Sequence, residues 1–149
     1  VVNQMVKTFR RMYPECGFTL DDDLYSEKIL KIYRNHFEQI LIIVMDNAVK
    51  YSTDRKEVHI SISTTLKELE IAIQDFGEGI PPEDVSRIFH RFYRVDKARA
   101  RTKGGNGLGL SIASKLIDSY KGRIFAESSL GKGTIFRIFI PIQNTDEKE

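Results

Sequence analysis

One cysteine in 149 residues, Cys16, rules out an internal disulfide, and no Cys/His cluster with the spacing of a metal site is present. A reducing compartment suits such a chain. No apolar run approaches the roughly 18 residues needed to cross a bilayer, so no membrane contact by this domain is expected. The opening Val1 Val2 has no charged-then-apolar signal pattern and resembles the edge of a longer protein. A formal charge of only +2 gives no electrostatic reason to expect a nucleic-acid partner. Internal repeats and low-complexity tracts are also missing. What remains, 41% apolar and 30% charged residues, is the balance of an ordinary folded domain, and a chain of this length can bury roughly 70% of its unfolded surface around one core.

Hydrophobic periodicity organises the chain. Val2, Met5, Val6, Phe9 and Met12 have helical spacing before Pro14 and Gly17 interrupt it. Phe18 to Leu20 and Ile29 to Tyr33 could be strands, with Asp21, Asp22 and Asp23 marking a turn. Phe37, Ile40, Leu41, Val44 and Ala48 form one stripe of a helix over 36–51. Val58, Ile60 and Ile62, then Leu69, Ile71 and Ile73, alternate with polar residues and predict an antiparallel pair of strands. Pro81, Pro82, Glu83 and Asp84 suit the first turn of a short helix. Leu108, Ile112 and Leu116 predict a last helix over about 108–120, capped by Gly122. Strands are expected near 124–128 and 134–140, and a polar tail over 143–149 follows a single domain over 1–142. These elements predict an α+β, two-layer sandwich: a mixed, mostly antiparallel sheet with helices on one face.

Three segments are candidates for chemistry, although each taken alone also reads as ordinary structure: a glycine turn capped by an Asp, a polar helix face and a flexible hinge. Asp75 shares strand parity with Leu69, Ile71 and Ile73, which points its carboxylate inward at a strand end. A buried carboxylate needs a partner, or costs several kcal/mol on an order-of-magnitude scale. A purine amino group would serve, with Gly77 and Gly79 allowing close backbone approach beside Ile80. On the long helix, Asn47, Lys50 and Tyr51 set an oxygen ligand, a cation and an aromatic ring three and four residues apart. One amide oxygen plus phosphates is a plausible Mg2+ environment. Gly104 to Ser111 is a glycine-rich loop running into a helix, an arrangement that suits phosphates. It is neither a Walker loop nor a Rossmann fingerprint.

Taken in order with Gly131 Lys132 Gly133 Thr134, these segments resemble the four boxes of the ATP-binding domain of bacterial sensor histidine kinases. That domain belongs to the GHKL superfamily shared with gyrase, MutL and a heat-shock chaperone. Residues 91–99 are similar to the segment opening the nucleotide lid in kinases of the OmpR-partner type. The resemblance implies a Bergerat ATP-binding fold and, as cofactors, ATP and Mg2+. It makes Asn47 the Mg2+ ligand, Lys50 a phosphate contact, Tyr51 a neighbour of the nucleotide and Asp75 the reader of the adenine amino group. Gly77 and Gly79 shape the base pocket. Gly105, Gly107 and Gly109 fall in the phosphate-side box with Leu108 and Leu110 beneath it, and Thr134 lines the floor. Of the basic residues in 93–103, Arg94 and then Lys97 are the expected phosphate-seeking lid cations.

The same resemblance implies a cytoplasmic domain of a membrane-anchored sensor kinase in a two-component signalling system. It would transfer the γ-phosphoryl group of ATP to a histidine on a separate dimerisation hairpin of the same kinase, with a response regulator as indirect partner. None of His36, His59 and His90 has the setting of that acceptor. The family usually has an Asn four residues before the metal-binding Asn, where ATP-hydrolysing relatives place a catalytic Glu. Ile43 stands there in this chain. An isoleucine cannot activate water, which disfavours a gyrase-like hydrolase. It also leaves a second reading, a degenerate kinase that senses nucleotide and signals by contact.

Overall fold

A computed structural model describes residues 1–22, 32–52, 55–90 and 109–142. Among the described residues, three helices, α1 (Val2–Met12), α2 (Arg34–Tyr51) and α3 (Gly109–Ser119), accompany five strands. The strands are β1 (Gly17–Asp22), β2 (Glu57–Thr64), β3 (Glu68–Asp75), β4 (Arg123–Ser129) and β5 (Gly133–Pro141). They form one sheet in the order β1-β2-β3-β5-β4. Only β1 and β2 run parallel; the other neighbours are antiparallel. The helices pack as one layer, α2 against β2 and β3 between α1 and α3, which reach β1 and β4.

Strand alternation builds the sheet side of the core. In register, Ile60, Ile73, Phe136 and Ala126 form one row, and Ile62, Ile71, Ile138 and Ile124 the next. Against them α2 buries Phe37, Ile40, Leu41, Val44, Met45 and Ala48, so the expected stripe is present with Met45 added. Burying each such side chain contributes about 1.5–3 kcal/mol. On the opposite face, Arg137 bridges Glu127 at 3.0 Å and Glu70 at 2.8 Å, and Arg123 pairs with Glu68 at 3.0 Å. Arg123 also lies over the Phe139 ring, which stacks on Phe125. These cross-strand contacts cover an open face, where ion pairs add little stability.

Several local expectations give way to tertiary context. Met12 is exposed, because α1 buries only Met5, Val6 and Phe9. β1 continues through Asp21 and Asp22, where ladder pairing with Ser61 and Ile62 overrides the turn tendency of the acids. Residues 29–31 lie outside the described residues, and Ile32 and Tyr33 precede α2 without being strand. Pro81 starts no regular helix. Asp84, Arg87 and His90 donate to the carbonyls of Pro81, Asp84 and Arg87, three-residue closures that make successive turns. In α3 the buried positions are Ser111, Ala113 and Ile117, while Ile112 faces solvent. The left-handed residue after α3 is Lys121, at φ 61°, and not Gly122. Gly122 is required for proximity: a Cβ there would lie 2.3 Å from the Phe139 carbonyl oxygen.

Cys16 is buried beyond the end of α1. Burial first, then the charge of Glu15, raises its thiol above the ordinary value, with Lys56 opposing and Glu57 adding to the rise. A raised thiol pKa holds the neutral form, whose stabilisation is complete below the unfolded value and is lost as pH rises through the folded one. Ellman's reagent at pH 8 is therefore expected to label the native chain at least about tenfold more slowly than the chain in denaturant. Equal rates would show that this corner opens readily.

Candidate nucleotide site

The apolar rows of the sheet stop abruptly at one end. The next row is Phe18, Val58, Asp75, Thr134 and Ser128, of which the last three are polar. Asp75 is 3% exposed and Thr134 4% exposed, so both face inward as their parity predicts. Asp75 Oδ1 accepts the Gly77 N–H at 3.0 Å, closing the turn that follows β3. Ser128 Oγ accepts the Ile80 N–H at 2.7 Å, donates to the Gly133 carbonyl at 3.0 Å and lies 2.9 Å from Thr134 Oγ1. With its single proton on Gly133, Ser128 takes the Thr134 proton, and Thr134 Oγ1 keeps its acceptor lone pairs. Sequence reading does not single out Ser128; its parity with Ile124 and Ala126 was the available signal.

Glycines clamp the segment from 75 to 80 between two other elements. A Cβ on Gly77 would lie 1.8 Å from the Tyr51 carbonyl oxygen at the end of α2. One on Gly79 would lie 2.2 Å from the Ser129 carbonyl oxygen, and one on Gly133 would lie 2.1 Å from that of Asp75. Gly79, Gly131 and Gly133 have φ of 79°, 80° and 89°, the left-handed region that disfavours other residues. The Gly131 N–H donates to the Glu78 carbonyl at 2.7 Å. The close approach that Gly77 and Gly79 permit is thus to the protein's own backbone, which fixes the shape around Asp75. From the opposite face Phe76 is held by Arg55, 3.8 Å above its ring, and by an edge-on His59.

The C-terminal end of α2 borders this end of the sheet. Asn47 Nδ2 is 3.5 Å from the Ile43 carbonyl, a long bond that orients the side chain and leaves Oδ1 as its acceptor end. Lys50 Nζ is 3.0 Å from Asp46 Oδ2, so its ammonium is engaged on α2 itself. Tyr51 is 40% exposed, and its backbone carbonyl lies packed against Gly77. Ile43 stands close to Gly109, whose added Cβ would lie 3.4 Å from Ile43 Cγ2. Gly109 opens α3, and Leu110 packs on the core. Ile80 also packs there. Arg94, Lys97, Gly105, Gly107 and Leu108 lie outside the described residues.

His36 Nδ1 is 2.6 Å from Tyr120 Oη, and His59 Nε2 is 3.5 Å from Glu57. Both are engaged in structural contacts. His90 is exposed at the end of the turns that follow Pro81.

Residues 33–144 match the family described as histidine kinase-, DNA gyrase B- and HSP90-like ATPase, and the chain belongs to that family. It is 48% identical over 146 residues to the signal transduction histidine-protein kinase ArlS of Staphylococcus epidermidis, a match covering 96% of this chain and 31% of that protein. The corresponding kinase of Staphylococcus aureus is 42% identical over 138 residues, covering 92% of this chain and 30% of that protein. The chain thus spans about 31% of the length of the relative it matches at 48% identity. Among solved structures, the mycobacterial sensor histidine kinase MprB superposes with a TM-score of 0.80 at 22% identity, covering 97% of this chain and 93% of that one. At that identity the likeness shows the fold alone. Full-length ShkA in complex with AMPPNP superposes at 0.78 with 25% identity, covering 96% of this chain and 29% of that one.

Proposed function

We propose that this chain binds Mg-ATP at the polar end of the sheet and supplies the γ-phosphoryl group to a histidine on a separate dimerisation hairpin. The carrying observation is the run Asp75, Thr134 and Ser128, polar and inward where the adjoining Ile73, Phe136 and Ala126 are apolar. A carboxylate at that position accepts from an exocyclic amino group, and Thr134 beside it offers a further acceptor. Family membership and the AMPPNP complex of the similar kinase ShkA support adenine nucleotide as the ligand.

The rest of the site supports roles for the other residues. Asn47 presents one amide oxygen, and no group of three or more His, Cys, Asp or Glu among the described residues could hold a metal. That donor set fits Mg2+, which keeps waters and substrate phosphates around one or two protein oxygens. Bound there, Mg2+ would neutralise phosphate charge. Lys50 adds a cation one turn along α2, and Arg94 and Lys97 are assigned to the lid. In the transfer, the bond from the γ-phosphorus to its bridging oxygen breaks, a bond to imidazole nitrogen forms, ADP leaves, and a base on the hairpin takes the imidazole proton. This chain's contribution is position and charge.

Ile43 favours one alternative, a nucleotide sensor without transfer, because its apolar side chain sits close to the start of α3 where the family usually has an amide. One labelling experiment separates the two. With γ-labelled ATP the chain alone is expected to gain no acid-labile phosphate on His36, His59 or His90. Addition of the histidine-bearing hairpin of its kinase should label the hairpin slowly, since tethering normally supplies a high effective concentration. ATP binding without transfer to the hairpin would favour the sensor. Label on this chain's own histidines would refute the assignment of the acceptor to another domain.

A further inference from the structure

Tyr13 closes α1, its N–H bonded to the Phe9 carbonyl, and it lies upstream of the family-matched residues 33–144. Its ring packs 5.8 Å from that of Phe9 on the core, and its hydroxyl crosses to α2, where it donates to Asp46 Oδ1 at 3.1 Å. The other oxygen of the same carboxylate holds Lys50 Nζ at 3.0 Å. Asp46 is therefore shared between a residue of α1 and the cation assigned above to the phosphates.

We propose that Tyr13 is a positioning residue for Lys50, acting through Asp46. This rests on the reading of Lys50 as a phosphate contact. A carboxylate that accepts a phenol hydroxyl on one oxygen is fixed in direction and shares part of its charge with that donor. It then holds the ammonium in one place but less tightly, and Lys50 can turn to a phosphate. Burial first, then the hydrogen bond and charge of Asp46, with Glu15 adding, raise the Tyr13 phenol above its ordinary value. The hydroxyl is accordingly protonated and donating near neutral pH. Without it, Asp46 swings free and attracts Lys50 with its full charge. A phosphate then meets a cation that is both less oriented and less available. The ring of Phe at position 13 would keep the packing on Phe9, so the change isolates the hydroxyl.

The test compares two probes: Mg-AMPPNP by calorimetry, and adenosine, which has no phosphate, by chemical-shift titration. Tyr13→Phe is expected to weaken Mg-AMPPNP about threefold, as for one partly exposed hydrogen bond to a charged group, and to leave adenosine unchanged. The effect should disappear in an Asp46→Asn or Lys50→Met background, as a double-mutant cycle requires of groups acting in series. Equal losses for both probes would mean a structural role and overturn the proposal. So would a Tyr13→Phe effect that persists undiminished in either background, or no effect at all. Lys50→Met with wild-type Mg-AMPPNP affinity would instead remove the phosphate contact itself, and this inference with it.

Discussion

An Asp75→Asn variant is expected to fold and to bind Mg-ATP at least about a hundredfold more weakly than the wild type, the scale on which a site built around one hydrogen bond rejects a mismatched partner. The two halves of this expectation come from different atoms. Asp75 Oδ1 receives the Gly77 N–H at 3.0 Å, and an amide oxygen can take that place, so the turn after β3 survives. The second oxygen becomes an N–H2 group, which presents a donor where the adenine amino group is also a donor. Thermal unfolding should shift by no more than a few degrees, while calorimetry with an ATP analogue should register little heat. Asp75→Ala differs usefully. It orphans the buried Gly77 N–H, a cost of about 1–3 kcal/mol, and so should lower both stability and binding. Near-wild-type affinity in a folded Asp75→Asn protein would remove Asp75 from the nucleotide site.

That pair of variants also shows which parts of the site were legible in the sequence. The inward direction of Asp75 and Thr134 follows from period-two parity, a local property, and both positions are buried as expected. The stripe on α2 was equally local. Pairing was not. β5 lies between β3 and β4, and β1 joins β2 in parallel across a connection that contains α2, arrangements that no local pattern encodes. The row Asp75, Thr134 and Ser128 exists only because of that strand order, which is why no local pattern marks Ser128 as part of it. The succession of boxes, matched as a set, identified the ligand class where each segment alone could not.

The glycines mark a second limit. Their presence announces special backbone, but not which kind. Gly122 does help to cap α3, donating its N–H to the Ile117 carbonyl at 3.0 Å, yet Lys121 holds the left-handed conformation and Gly122 makes room for the Phe139 carbonyl. Gly77 looks like ground left open for a base, yet the space its missing Cβ leaves faces the end of α2. In both cases the neighbour comes from a distant part of the chain. The polarity of Lys50 was similarly visible while its partner was not: Asp46 lies one turn away, but the Tyr13 hydroxyl that shares it reaches over from α1.

Gly77→Ala is expected to destabilise the chain by about 2–3 kcal/mol, as overpacking against unyielding atoms does, and to lower its melting temperature by roughly 5–10 °C. The added Cβ would lie 1.8 Å from the Tyr51 carbonyl oxygen and 2.8 Å from its carbon, both backbone atoms at the end of a helix. Neither can rotate away, so the turn itself must withdraw from α2. Withdrawal pulls on the Gly131 N–H bond to the Glu78 carbonyl and on the packing of Gly79 against Ser129, so the clamp around Asp75 loosens at both ends. Mg-ATP binding should fall with stability. Two other glycines calibrate the effect. Gly131→Ala meets nothing within 4 Å and incurs only the strain of φ 80°, about 1–2 kcal/mol. Gly17→Ala meets only ordinary contacts, the nearest at 3.7 Å, and should be near neutral. The expected order of melting temperatures is therefore Gly17→Ala above Gly131→Ala above Gly77→Ala. A Gly77→Ala protein that melts within two or three degrees of wild type, on a scale of roughly 2–4 °C per kcal/mol, would show that the turn is not docked against Tyr51 and that something other than this contact shapes the surroundings of Asp75.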